Sequence, residues 1–211
     1  MTKNNQAELR AFTLEARAAT DERGDYIEGL AVVYNSQADL GAYTEIIEAG
    51  ALNKTDLKDV RFLINHDMRG VPLARSRKNT SNSTMQLTIN ERGLNFRAYL
   101  DIANNVDAKK LYSAIERGDI SGVSFMFFVG DEEWENLDSE KPTRRIKEIS
   151  SIVEISAVTV PAYESTEIFA RSKSAVETAR RAVETSRSKA QPSVETDVSL
   201  ARLKAKYIFG L

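Results

Sequence analysis

The chain is 211 residues long, with 29 basic against 31 acidic residues and a formal charge of −2. That balance gives no electrostatic reason to expect a nucleic-acid or membrane partner. No cysteine and a single histidine, His66, are present, which excludes disulfides, thiolate nucleophiles, sulfur-ligated metals and any zinc site built on two or three histidines.

The 42% hydrophobic content supports a core in part of the chain. Residues 1–6 carry no apolar signal region, and no apolar run approaches the ~18 residues of a membrane span. A soluble cytoplasmic protein is expected. Nine of the ten glycines and seven of the eight phenylalanines precede residue 170. Beyond that point the sequence is rich in Ala, Ser, Arg, Lys and Glu. The boundary predicts a β domain over 8–169 and a helical or disordered tail over 170–211.

In chain order, apolar alternation and turn residues predict strands over 26–34, 44–47, 60–65, 84–89, 94–100, 123–129, 145–149 and 152–160. Glu91-Arg92-Gly93 reads as the turn of a hairpin joining two of them. One helix is clear, over 106–117. Leu111, Ala114 and Ile115 form its apolar stripe, Asp107 favours its first turn, and Gly118 is placed to end it. The predicted class is α+β, mainly β: a small antiparallel β-barrel or curved sheet with flanking helices. Helices do not alternate with strands, which argues against a doubly wound fold.

Three polar residues sit on apolar faces. Val60, Phe62, Ile64 and His66 would share one face of an extended run, making the imidazole either a satisfied core group or a working base. Ser124 shares a face with Met126 and Phe128, while Val123, Phe125 and Phe127 line the other, so this strand should be buried on both sides. Its hydroxyl then packs in a tight core or opens on a cleft. Glu154 alternates with Ile152, Ser156, Val158 and Val160. A carboxylate there faces water from an edge strand, or is buried with a partner.

A serine, a histidine and a carboxylate are the set that acyl transfer needs. The hydroxyl is a poor nucleophile until a base takes its proton. Imidazole suits that task near neutral pH, and a carboxylate fixes its tautomer. Ser121 is a rival nucleophile whose other role is turn chemistry before Gly122. Asp67 is a rival third member, but adjacency to His66 in an extended chain would point it to the opposite face.

Several stretches resemble the tailed-phage prohead (capsid maturation) proteases, whose fold is similar to that of herpesvirus assemblin. They run in order: Glu48-Ala49-Gly50-Ala51, Leu63-Ile64-Asn65-His66-Asp67 with Pro72-Leu73, Gly93-Leu94-Asn95-Phe96, Ile115-Glu116-Arg117-Gly118-Asp119-Ile120-Ser121-Gly122-Val123-Ser124-Phe125, and Glu154-Ile155-Ser156-Ala157-Val158-Thr159-Val160-Pro161-Ala162-Tyr163. The resemblance covers roughly residues 10–171. It implies His66 and Ser124 as the catalytic pair and Glu154 as the third member. Two positions depart from the family pattern: Met126 where a glycine often follows the phenylalanine, and Ala74 where Leu-Gly is common. Oxyanion-hole donors are open, with backbone N–H groups, Arg144 and Arg145 as candidates.

The implied activity is a serine endopeptidase that needs no cofactor or metal. It would cut major capsid protein and scaffold, and itself, inside the assembling prohead in the bacterial cytoplasm, with self-association into a homo-oligomer allowed. The alternative is a non-enzymatic scaffold or capsid-interaction module on the same domain. In the tail, Ala175, Val176, Ala179, Ala182 and Val183 recur at helical spacing among many charges, which for 172–192 favours a solvated or weakly helical segment. A second amphipathic stretch, 193–211, is apolar enough to dock on a partner. By the resemblance, such a tail delivers the protease to the capsid and is then removable.

Overall fold

A computed structural model describes residues 6–12, 16–159 and 166–190. Eleven strands and two helices follow one another as β1 (Glu8–Phe12), β2 (Arg17–Asp21), β3 (Gly24–Val33), β4 (Gln37–Asp39), β5 (Thr44–Ile47), β6 (Asp59–Ile64), β7 (Ala74–Arg77), β8 (Met85–Asn90), β9 (Gly93–Tyr99), α1 (Val106–Glu116), β10 (Gly122–Glu135), β11 (Thr143–Val158) and α2 (Thr166–Ala190). The mainly β class holds. The barrel does not: the strands form two separate sheets, neither closed on itself, of seven and four strands.

The smaller sheet is antiparallel, in the order β2-β3-β9-β8. Its β8–β9 hairpin turns at Glu91-Arg92, as the sequence predicts, with Asn90 paired to Gly93. Only glycine fits position 93. Its φ is +138°, and a Cβ there would lie 1.9 Å from the Val32 carbonyl oxygen.

The larger sheet is built on the long β10–β11 hairpin and has the order β1-β10-β11-β5-β4. It is mixed rather than antiparallel. β11 spans 16 residues, long enough to take two different parallel neighbours. β5 pairs with its start, through Thr143↔Thr44 to Ile146↔Ile47. β6 pairs with its end, through Glu154↔Arg61 to Ala157↔Ile64. The separate strands expected over 145–149 and 152–160 are therefore one, interrupted only in register. Between β5 and β6 the loop bonds to the same strand through Ile149 N–H to Ala51 O, 2.9 Å, and Asp56 N–H to Ser150 O, 2.8 Å.

The core lies between the sheets. Ile27, Ala31, Leu94 and Phe96 from one meet Phe62, Phe125, Phe127 and Ile155 from the other, and Phe62 stacks on Phe96 with ring centroids 5.4 Å apart. α1 adds Ala108, Leu111 and Ile115 to this core. Asn105 caps its N-terminus by accepting from the Asp107 and Ala108 N–H groups. Gly118, at φ +78°, closes it with N–H bonds from Gly118 to Ile115 O and Asp119 to Ala114 O, a Schellman ending.

An ion cluster joining β1, β5, β10 and β11 is buried on the larger sheet. Arg10 reaches Glu45 through two N–H donors, 2.5 and 2.6 Å, and Arg144 bonds Glu8, Glu45 and Glu132. Both guanidiniums are dehydrated. Burial alone would disfavour their charge, but the facing carboxylates outweigh it and hold both arginines protonated more firmly than usual. Glu8 is also pushed up by burial, yet the Arg144 hydrogen bond and the charges of Arg144 and Arg10 bring it down to about 2.

Residues 172–192 were expected to be solvated or weakly helical. The observed α2 is a 25-residue helix whose side chains over 173–185 are mostly exposed, in keeping with that expectation apart from one packed contact. Val176, 5% exposed, packs against Leu40 and Tyr43. Arg180 donates to the Leu137 and Ser139 carbonyls at 2.8 and 2.9 Å. These contacts join the helix to the β10–β11 connection, a long-range fit that helical spacing alone does not reveal. The second amphipathic stretch, 193–211, and Pro161-Ala162-Tyr163 lie outside the described residues.

Candidate active site

The register of three strands brings the polar residues together. Ser124 on β10 faces Ser156 on β11, with Met126 facing Glu154. On the other edge of β11, Glu154 faces Arg61 and Ile155 faces Phe62. Since side chains alternate along a strand, Ser124, Ser156 and Glu154 share the face opposite the core residues Phe125, Ile155 and Phe62. Ser124, Ser156 and Glu154 are all fully buried.

A β-bulge separates Glu154 from Ile152. Neighbouring Met126 and Phe127 of β10 pair with Glu154 and Ile152, leaving Val153 unpaired. The extra residue shifts the alternation, so Ile152 joins the core with Ile155 while Glu154 points the other way. This corrects the expectation that Glu154 and Ile152 share a face.

His66 is corrected in a similar sense. β6 ends at Ile64, and Asn65 and His66 both adopt left-handed backbone, at φ +48° and +61°. The strand does not continue, and the imidazole is not on the face of Val60 and Phe62. It swings to the Glu154 side, where Nδ1 lies 2.7 Å from Glu154 Oε1. The contact suits the tautomer in which Nδ1 donates to the carboxylate and Nε2 is left as an acceptor. Left-handed backbone costs a non-glycine residue about 1 kcal/mol or more and persists where its surroundings fix it. Here β11 fixes it. Asn65 N–H donates to Ala157 O at 3.0 Å, Asn65 Oδ1 accepts from Thr159 N–H at 3.0 Å, and His66 N–H donates to Ser156 Oγ at 3.1 Å.

Ser156 also donates to Glu154 Oε2, at 2.5 Å. Its part in the cluster was not singled out from sequence, although its place two residues after Glu154 puts both on one face. Ser124 Oγ donates to the Arg10 carbonyl of β1 at 2.9 Å, so its hydroxyl is engaged with the neighbouring strand and not with His66. Cross-strand partners in an antiparallel ladder have Cβ atoms ~5 Å apart. Ser124 is therefore one strand spacing from the Ser156 hydroxyl that holds His66.

The rivals stand elsewhere. Ser121 is exposed, just ahead of β10. Asp67 Oδ1 accepts from the Arg69 and Gly70 N–H groups at 3.0 and 3.2 Å, shaping the loop rather than touching the imidazole. Arg144 is taken up by the ion cluster, and Arg145 by Glu135 at 2.7 Å. Among the described residues no group of three or more side chains could hold a metal ion, and no helix is long and apolar enough to cross a membrane.

The site thus holds an imidazole bonded to a buried carboxylate, with a buried serine on the next strand of the sheet. The chain belongs to the caudovirus prohead serine proteases, whose family pattern matches residues 12–181. Among solved structures it is similar to the bacteriophage T4 capsid assembly protease, gp21, at 14% identity, covering 72% of this chain and 97% of that one with a TM-score of 0.43. No curated protein sequence matches it. The protein is thus a serine protease of phage prohead maturation.

Proposed function

We propose that Ser124 is the nucleophile, His66 the general base and Glu154 the group that orients the imidazole, in an endopeptidase that cuts capsid and scaffold proteins. The observation that carries this reading is the 2.7 Å contact between His66 Nδ1 and the fully buried Glu154. It supports the tautomer that leaves Nε2 able to accept a proton, and Ser124 is the buried serine on the adjoining strand not already bonded to Glu154. In the resting arrangement the Ser124 hydroxyl donates to the Arg10 carbonyl. On this reading the hydroxyl gives up that acceptor for Nε2 when it reacts.

In the reaction Ser124 Oγ attacks the scissile carbonyl as its proton passes to His66 Nε2. Glu154 stabilises the imidazolium, which returns the proton to the leaving amine. Water, activated by the same imidazole, then releases the acyl group and restores Ser124. The enzyme acts within the assembling prohead in the host cytoplasm, on the major capsid protein, scaffold and itself. Residues 8–169 form the protease body, and the tail, 170–211, is a removable delivery segment. The test is co-expression with the capsid and scaffold proteins. Wild type trims them and Ser124→Ala does not; trimming that persists in Ser124→Ala overturns the assignment.

A further inference from the structure

The hydrogen bonds around His66 close into a ring. His66 N–H donates to Ser156 Oγ at 3.1 Å. The Ser156 hydroxyl donates to Glu154 Oε2 at 2.5 Å. Glu154 Oε1 accepts from His66 Nδ1 at 2.7 Å. One serine thus holds the base by its backbone and the carboxylate by its second oxygen. Glu154 has one oxygen for the imidazole and one for Ser156, which fixes the carboxylate plane. With that plane fixed, the imidazole cannot tilt without breaking a bond.

The need for such a clamp follows from the backbone. His66 follows the last β6 residue by only two positions and stands at φ +61°, after Asn65 at φ +48°. Two successive non-glycine residues in this region are held only by what they bond to. Ser156 is fully buried, so water does not compete for its hydroxyl.

We propose that Ser156 is a positioning residue of the catalytic centre: it locks the Glu154 carboxylate and the His66 backbone in one rigid unit, so that Nε2 is held at the angle proton transfer requires. This rests on the assignment of Ser124, His66 and Glu154 made above. Ser156 does not touch substrate and acts only through the two groups it bonds.

A misplacement of about 1 Å can cost a reaction on the order of 10²-fold. The full chain is treated with an alkyl fluorophosphonate, which reacts with an activated serine whatever the peptide specificity, and the modified residue is read by mass spectrometry. Labelling rates over a range of probe concentration separate the maximal rate from the affinity. Ser156→Ala is expected to lower the maximal rate of Ser124 labelling by on the order of 10²-fold with the affinity unchanged. Ser156→Thr, which keeps the hydroxyl, recovers most of it. A structural role alone would alter folding, read by circular dichroism, and would not separate rate from affinity. The inference is overturned if Ser156→Ala labels at the wild-type rate, if only the affinity falls, or if Thr does no better than Ala in a folded protein. Labelling absent from wild type, or surviving Ser124→Ala, instead removes the assignment of the nucleophile on which the inference rests.

Discussion

The hydroxyl of Ser124 donates to the carbonyl of Arg10 across the β1–β10 ladder, 2.9 Å away. Arg10 is itself anchored, because its guanidinium grips Glu45 in the buried ion cluster. The proposed nucleophile is thereby parked on a strand that a charged pair holds in place. Since only one buried hydrogen bond is lost, Ser124→Ala should cost about 1 kcal/mol of stability, measurable as a small shift in urea midpoint, while abolishing processing. Ser121→Ala, at an exposed position before β10, should leave both stability and processing at wild-type values. Loss of processing in the Ser121 variant would move the nucleophile there.

Glu154→Gln tests the tautomer argument. The amide keeps the shape of the carboxylate but offers an N–H₂ where His66 Nδ1 now finds an acceptor. The imidazole would then carry its proton on Nε2 and could not accept one from Ser124. Cleavage should fall by on the order of 10³- to 10⁴-fold, measured as the rate of capsid-protein trimming, with the variant still folded. A loss of less than tenfold would mean that Glu154 does not set the tautomer.

Gly93→Ala should be among the most destabilising single-methyl changes in the chain. The new Cβ would meet the Val32 carbonyl oxygen at 1.9 Å, at a backbone φ of +138°. β3 and β9 must part at their tightest point, costing about 3 kcal/mol or more. Chemical denaturation reads this directly, and a loss below 1 kcal/mol would show that the hairpin slides to make room.

Much of this architecture was legible, and the exceptions have physical causes. Leu87, Leu94, Phe96, Val123, Phe125 and Ile155 alternate with enough apolar contrast to place β8, β9, β10 and β11 and to put Ser124 and Glu154 on strands. β1, β2, β4 and β7 escaped because all are short, and the residues β1 and β7 bury are small or charged. β1 buries Arg10, whose partner Glu45 is 35 residues away, and β7 buries Ala74 and Ser76 between outward arginines. No local pattern announces a charge compensated at that distance. The pairing of His66 with Glu154 was legible from residue chemistry, while its geometry was not. The left-handed turn at Asn65-His66 takes the imidazole off the face that simple alternation assigns to it, and the bulge at Val153 takes Ile152 off the face of Glu154.

The tail prediction separates delivery from chemistry. Deleting 193–211 removes the apolar stretch with Val194, Val198 and Leu203 and leaves all of α2 and the site residues in place. The expected outcome is failure of the truncated protease to enter proheads, scored on purified particles, with peptidase activity in solution retained. Normal incorporation would show that the recognition surface lies elsewhere.

The ion cluster predicts a specific acid lability. Glu8 is lowered from 4.5 to about 2, because its bond to Arg144 and the charges of Arg144 and Arg10 outweigh the upward push of burial. A carboxyl depressed in the folded state binds protons more readily when unfolded. Its contribution is therefore fully present above about pH 4.5 and is lost as pH falls toward 2. A shift of this size corresponds to about 3 kcal/mol. Other carboxylates titrate in the same window, so the variant isolates the Glu8 share. Glu8→Gln should be less stable than wild type at pH 7 by about 2–3 kcal/mol. The two should converge as pH falls from 4.5 to 2, followed by urea unfolding at each pH. Parallel pH profiles would mean that Glu8 holds its proton equally well in both states, and that β1 owes its place to Arg10 and Glu45 alone.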